Sequence, residues 1–171
     1  MPVNLGLLIL RLAIGLSIAG HGSQKLFGWF GGPGLKGTGT HFEGLGFRPG
    51  VPFAAAAGLS EFAGGILLAI GLFTPFGAAA VLSAMLVAIV SVHLKNKFFA
   101  MANGIEFPFL YAAAAVSLTF TGAGAFSFDA VIGLGFLNDA YVVGGILILA
   151  ILGAAITLGL RRNPQPQTSA V

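Results

Sequence analysis

The side chains that could do chemistry in this chain stand inside long apolar stretches. The first stretch, RLAIGLSIAGHGSQKLFGWF, carries Arg11, His21 and Lys25. At about 100° per residue, these three side chains and Ser17 share about one third of a helix circumference. The rest of the circumference is mostly Leu, Ile, Ala and Gly. Because a charge at the centre of a membrane helix costs roughly 2.5–3.5 kcal/mol, the pattern predicts a polar stripe facing the interior of a helix bundle.

Glu61 stands in the middle of a second apolar stretch, AAAAGLSEFAGGILLAIG. A carboxylate at that depth has to pair with a cation or take up a proton. Arg11 and His21 are the cations available on the preceding helix, and we expect Arg11 to pair with Glu61. Two interpretations stay open. Either this pair only fixes how the helices pack, or Glu61 and His21 are catalytic residues of a binding and proton-transfer site.

A further polar group follows the third apolar stretch. His93 closes that stretch in SVHLKNK, and MANGIEFPF then brings Asn103 and Glu106. The spacing of Asn103 and Glu106 is that of a capping box, so we expect Asn103 to cap the next helix. His93 is expected at the depth of His21 and Lys25. The candidate cofactor-binding residues are therefore Arg11, His21, Lys25, Glu61, His93, Asn103 and Glu106.

Several chemistries are excluded by what the sequence lacks. The chain has no cysteine, which excludes disulfides, thiolate metal sites and thiol redox centres within it. It contains no P-loop, HExxH or GxSxG pattern. His21, Glu61 and His93 on three separate helices are too weak a pattern for a metal, so we predict no metal site. The basic residues are scattered over loops and helix ends, which predicts no nucleic-acid partner.

The elements that must position these residues are membrane helices. Hydrophobic residues make up 57% of the chain and charged residues 8%, whereas a soluble domain carries about a quarter charged residues. The sequence predicts an all-α integral membrane bundle, residues 1–160, in contact with the lipid bilayer. Because a spanning helix needs about 20 mostly apolar residues, we predict spans at 5–27, 51–72, 76–94, 105–120 and 141–160. Residues 161–171 form a predicted disordered cytoplasmic tail.

The segments between the spans predict how the bundle is oriented. With five spans, one side of the membrane receives seven basic residues and the other side no loop Lys or Arg. The positive-inside rule then predicts an N-terminus outside and a C-terminus in the cytoplasm of a bacterial inner membrane. The seven are Lys25, Lys36, Arg48, Lys95, Lys97, Arg161 and Arg162. The Gly-rich segment 29–50 on that side is either mobile or packed on the bundle end.

Two further patterns concern packing and turns. Small residues recur inside the spans and predict close helix approach. They include Gly15, Ala19, Gly58, Gly64, Gly65, Gly77, Gly144, Gly145, Gly153 and Ala154. Thr74-Pro75 predicts a tight link between antiparallel neighbours. On the side opposite the basic residues, Ser127 and Asp129 in GAGAFSFDA predict a turn followed by a helix cap.

In four motifs the chain resembles the DoxX family of small bacterial membrane proteins, within the DoxD-like group. The motifs are HGSQKL, EFAGGILLAIGLFTP, NGIEFPFL and TGAGAFSFD, in that order. The resemblance implies a four-helix membrane bundle to which this chain adds a fifth span. It also implies importance for seven residues, namely Arg11, His21, Lys25, Glu61, Asn103, Glu106 and Asp129. The chain departs from the family at Gly122-Ala123-Gly124, where members often have Gly-Pro-Gly.

The resemblance further implies an oxidoreductase, or the membrane subunit of one, in a redox or oxidative-stress system. A related branch is tied to thiosulfate:quinone oxidoreduction, so a quinone bound between helices one to three is the first hypothesis. His21 and Lys25 would hydrogen-bond a quinone carbonyl, and Glu61 would relay the proton. Because the chain shows no redox centre of its own, electrons would come from a partner redox protein or a bound cofactor. The alternative is a non-enzymatic scaffold or chaperone that recruits redox enzymes, and a homo-oligomer is also open.

Overall fold

The computed structural model describes residues 1–162, and within them the chain is helical without strands. The predicted all-α membrane bundle is confirmed. A five-residue π-helix, Ile89–His93, continues the fourth α-helix. The α-helices are α1 Pro2–Phe27, α2 Gly34–Gly44, α3 Gly50–Ile70, α4 Thr74–Ala88, α5 Glu106–Thr121, α6 Phe128–Val131 and α7 Ala140–Gly159.

Glycines set the distance between α1 and α3. A Cβ atom on Gly15 would lie 2.5 Å from the carbonyl oxygen of Gly65, and a Cβ on Gly65 would lie 2.5 Å from that of Gly15. Gly22 makes the same kind of approach to the backbone at Gly58. The paired positions run in opposite directions, so α1 and α3 are antiparallel. In a bilayer, where lipid is as apolar as leucine, such close contact is what holds helices together.

The small residues of α7 divide into two groups. Ala154 is buried and Gly153 faces Ser83 of α4, which confirms their predicted packing role. For Gly144 and Gly145 the packing prediction is wrong within the described part of the chain. A Cβ on either residue would have nothing within 4 Å.

Five helical segments run between the two ends of the bundle. Four of them are long and apolar enough to cross a membrane: Pro2–Phe27, Gly50–Ile70, Thr74–Asn96 and Ala140–Gly159. The exception, α5, has 16 residues and a length of about 24 Å. At the start of α5, the first turn and His93 border the same cavity. After the end of α5, the amide of Ala125 donates to Asn4 Oδ1 at 3.1 Å. Although short, α5 therefore reaches from one end of the bundle to the other.

The ends of the bundle differ in charge. We call the end with the seven basic residues named above the basic end, and the opposite one the Asp129 end. At the basic end, α2 packs on α3 and α1, so the Gly-rich segment is packed rather than wholly irregular. Arg161 Nε donates to the carbonyl of Leu45 at 2.6 Å, and the amide of Arg162 donates to Gly46 at 2.8 Å. These two residues of the predicted tail are thus anchored, and the rest of it lies outside the described residues.

Apolar side chains fill the space between α1, α3, α4 and α5. The core contains Ile18, Leu68, Val81, Ala115 and Leu118, each without solvent exposure. The Thr74-Pro75 link is tight and α3 packs on α4, which confirms the predicted antiparallel pair. Polar side chains lie beside this core at two places, one toward each end of the bundle.

Candidate functional site

An ion pair joins α1 to α3 near the basic end. Lys25 Nζ donates to Glu61 Oε2, with 5% of the Glu61 side chain and 27% of the Lys25 side chain exposed. The expected pair between Arg11 and Glu61 is wrong. Given the packing of Gly15 on Gly65, Arg11 lies about 12 Å along the bundle from the level of Glu61. Helical side chains also lean toward their own N-terminus, which directs Arg11 away from Glu61.

Two cavities meet at this ion pair. The larger has a volume of about 530 Å³ and is bounded by α1, α2, α3, α4 and Thr157 of α7. The smaller has a volume of about 200 Å³ and lies among α1, α4 and α5. Small-molecule sites commonly enclose about 300–1,000 Å³ of mostly apolar space with a few polar groups. The residues that line both cavities are His21, Lys25, Glu61, Ala88 and His93.

His93 is held in place by the loop that follows it. Its Nδ1 lies 2.9 Å from the carbonyl oxygen of Asn103. Since a carbonyl oxygen only accepts, Nδ1 carries the hydrogen, and a neutral His93 keeps Nε2 as an acceptor. His93 closes the π-helix near the end of the span Thr74–Asn96, and π-turns are frequent at functional sites. The backbone distortion and the carbonyl together fix the imidazole at the cavities.

Asn103 and Glu106 act on the loop before α5 rather than on the cavities. Asn103 takes the left-handed conformation (φ 57°), and its side chain does not cap α5, so the predicted capping box is wrong. Its carbonyl accepts instead from His93 and from Asn96 Nδ2 at 3.2 Å. Glu106 Oε2 accepts from the amide of Ala100 at 2.8 Å. Both residues shape the loop that orients His93, and neither lines the two cavities.

His21 stands at the junction of α1 with α5. Its ring meets the ring of Tyr111 edge to face, with centroids 6.0 Å apart and planes at 75°. His21 is exposed along part of its surface, and Ser17, one turn earlier, is exposed as well. The buried face of α1 is formed by Arg11 and small or apolar residues such as Gly15 and Ile18. The predicted inward-facing stripe is therefore wrong for Ser17, whereas Arg11 is buried and His21 and Lys25 line the two cavities.

Arg11 belongs to a second polar group, at the Asp129 end. The guanidinium is fully buried and donates through Nη2 to the carbonyl of Phe126. The Asp129 carboxylate accepts from the amides of Phe73 at 2.7 Å and Thr74 at 3.0 Å, which caps the start of α4. Ser127 Oγ accepts from the amide of Ala130 at 3.2 Å and caps α6. The predicted turn and cap are confirmed, and Arg11 lines neither cavity.

Several polar side chains at the larger cavity were not among the predicted site residues. Tyr111, which contacts His21 beside the smaller cavity, was also missed. Except for His41, these residues carry hydroxyl or amide groups, which do not stand out in sequence because they commonly form hydrogen bonds within membrane bundles. The missed residues of the larger cavity are Gln24, Thr38, His41, Ser60, Ser83, Ser91 and Thr157.

Comparisons with known proteins identify a family for this chain. A model of the DoxX family matches residues 6–94, just over half of the chain, which is most of α1 and all of α2 to α4. An uncharacterized protein of Haemophilus influenzae is 39% identical over 83 residues. That match covers 47% of this chain and 62% of the relative, so the chain spans less than two thirds of the curated relative's length. No solved structure matches this chain.

Proposed function

Because this chain belongs to the DoxX family of helical membrane proteins, we propose that it binds a quinone beside the Lys25–Glu61 pair. Quinone binding would serve a redox or oxidative-stress system, with electrons supplied by a partner redox protein. One observation carries the proposal. A buried carboxylate, its lysine partner and two histidines converge where two largely apolar cavities meet.

The residues present fit a quinone in size and in chemistry. A quinone ring offers two carbonyl oxygens that accept hydrogen bonds, on an apolar body. Lys25 Nζ and the His21 ring can donate to such carbonyls, while Phe42, Phe53 and Val87 supply apolar wall. About 530 Å³ is space enough for a substituted ring, and the mixture of few polar groups with much apolar surface is typical of cofactor sites.

Each polar residue has a distinct task in this proposal. A bound quinone supplies the redox chemistry, since its reduction takes up two electrons and two protons. Lys25 donates to a ring oxygen and stays within reach of Glu61. Glu61 holds a proton or releases it beside the ring, shielded from water because only 5% of its side chain is exposed. His93 Nε2, an acceptor, takes a hydrogen bond from the hydroxyl of the reduced quinol rather than from the quinone.

Binding can be measured through the single tryptophan, Trp29, which follows α1 directly. In lipid nanodiscs, titration with a quinone is expected to quench Trp29 fluorescence with a saturable curve. Lys25→Met should weaken binding about ten-fold or more, because it removes a charged hydrogen-bond donor. Lys36→Met is the matched control, since Lys36 is an exposed lysine of α2 that lines neither cavity. Unsaturable quenching, or equal loss in both variants, would refute quinone binding.

A scaffold that recruits redox enzymes is the second candidate, and one observation favours it. On α7, a Cβ atom added at Gly144 or Gly145 would meet nothing within 4 Å in the described chain. Glycines of this kind let another membrane helix approach closely. A scaffold predicts that a partner co-purifies with the wild type and is lost with Gly145→Leu, while quinone titration gives no saturable signal.

A further inference from the structure

The smaller cavity lies on the α5 side of the ion pair. Its walls come from Ile18 and His21 of α1, Met85 of α4, and Phe107 and Tyr111 of α5. Phe107 has 58% of its surface exposed. The wall of the smaller cavity and the outer surface of the bundle therefore share this apolar side chain.

The helices that flank this cavity hold each other only loosely. α1 packs mainly on α3, and α5 packs mainly on α4. Between α1 and α5 the edge-to-face contact of His21 with Tyr111 bridges the gap. A gap of this kind can widen by small movements of two side chains, without separating helices that are locked by glycines.

The larger cavity has a different rim. The larger cavity is lined by Gln24 and His41 in addition to the ion pair, and residues of α2 line it at the basic end. Apart from the residues that line both cavities, the smaller cavity is lined by Ile18, Met85, Phe107, Pro108 and Tyr111, a surface that suits a hydrocarbon chain better. The two cavities thus differ in what they suit: a ring with polar atoms in the larger one, and a hydrocarbon chain in the smaller one.

We infer that the ligand is a quinone with an isoprenoid tail, dissolved in the bilayer, whose tail passes between α1 and α5 along Phe107 and Tyr111. This inference rests on the proposed function and adds to it a ligand class and an access route. The ring lies at Lys25 and Glu61, and the tail leaves through the smaller cavity into lipid. A water-soluble ring without a tail would use the same polar groups but would not depend on α5.

The test compares two probes in two variants. The probes are a quinone with several isoprene units and the same ring without a tail, both titrated against Trp29 fluorescence in nanodiscs. Phe107→Ala should weaken binding of the tailed quinone by about three-fold or more and leave the tail-less ring unchanged. Phe109→Ala is the matched control, because Phe109 is 49% exposed on the same helix and lines neither cavity.

The outcomes separate this inference from the proposal beneath it. If both probes bind and Phe107→Ala affects them equally or not at all, the tail route is wrong while quinone binding stands. If neither probe binds to the wild type, the proposed function falls and the tail route falls with it. A second readout is a diazirine on the tail. Its photoadducts should appear in peptides containing Phe107 or Ile18, and adducts in α2 or α7 instead would overturn the route.

Discussion

Lys25 and Glu61 form an ion pair although their Cα atoms lie at different depths in the bundle. Gly22 packs on Gly58, and each charged residue lies three positions beyond its glycine, in opposite directions along the membrane. The backbone offset is thus about six residues, or about 9 Å. Because each side chain leans toward the N-terminus of its own helix, and the helices are antiparallel, the two lean toward each other and meet.

This geometry predicts that removing one member of the ion pair destabilises the protein more than removing both. Lys25→Met leaves a buried carboxylate without its cation and should lower the free energy of unfolding by about 1–3 kcal/mol. That is less than the roughly 3–5 kcal/mol of a fully buried pair, because 27% of the Lys25 side chain is exposed. The double variant Lys25→Met, Glu61→Met should recover most of that stability, since no unpaired charge remains.

Thermal unfolding in detergent, followed by circular dichroism, measures both variants against the wild type. Lys36→Met again serves as control and should leave the midpoint unchanged. A double variant that is no more stable than Lys25→Met would show that the ion pair is not what stabilises this interface. Recovery of stability without recovery of quinone binding would separate the structural role of the pair from its proposed role in the site.

The glycines at the α1–α3 interface give a second prediction. Gly65→Val should lower the midpoint of thermal unfolding, at a cost of about 1–3 kcal/mol or more, because the new side chain would meet the backbone of α1. Gly145→Val has no neighbour to meet among the described residues and is the matched control. Equal effects of the two substitutions would mean that helix propensity, rather than close packing, explains the loss.

Arg11 and Lys25 show which features of the fold and the site follow from the sequence and which do not. Composition and the apolar stretches are enough to predict a helical membrane bundle, since few folds can carry 57% hydrophobic residues. Angular position on α1 also predicts correctly that Lys25 faces the interior. The choice of partner for Glu61 depends on the register of α1 against α3. Gly15 and Gly65 set that register, and it cannot be computed from either helix alone.

Other parts of the site depend on backbone detail that no local pattern reveals. The glycines of α2 predict a loop by propensity, yet the segment is helical because it packs on α3. The π-helix that ends at His93 places an extra residue in one helical turn, which changes the direction in which the His93 side chain points. Asn103 matches a capping motif but supplies its carbonyl to His93 instead.

A third prediction concerns the Asp129 end, where a substitution should lower stability but leave quinone binding unchanged. Asp129→Ala removes the acceptor for the amides of Phe73 and Thr74 and should cost about 1–2 kcal/mol of stability. It also leaves the buried guanidinium of Arg11 without the nearby carboxylate. Asp139→Ala, which removes an exposed cap of α7, is the control and should cost less stability.

Because the larger cavity lies toward the other end of the bundle, the Kd of the Asp129→Ala variant for a quinone should stay within two-fold of the wild type. A large loss of affinity in a folded Asp129→Ala variant would contradict this separation.

His93 offers a matched pair of substitutions, each of which keeps one of its two nitrogens. In His93→Asn the amide nitrogen stands near the position of Nδ1 and can still donate to the carbonyl of Asn103. In His93→Gln the polar end stands near the position of Nε2, at the cavities, and the bond to the loop is lost. We expect His93→Asn to keep the unfolding midpoint but weaken binding of the reduced quinol, whose hydroxyl donates to Nε2, about three- to ten-fold, the worth of one neutral hydrogen bond.

His93→Gln should show the opposite pattern, with a lower midpoint and a smaller change in Kd, since its amide can occupy the Nε2 position. Both are measured in the same nanodisc preparation, by Trp29 quenching for Kd and by circular dichroism for the midpoint. If the two substitutions weaken binding equally, Nε2 does not contact the ligand, and His93 acts only by tying the π-turn to the loop at Asn103. If neither affects binding, the ring lies on the far side of the Lys25–Glu61 pair, among the α2 and α3 residues of the larger cavity.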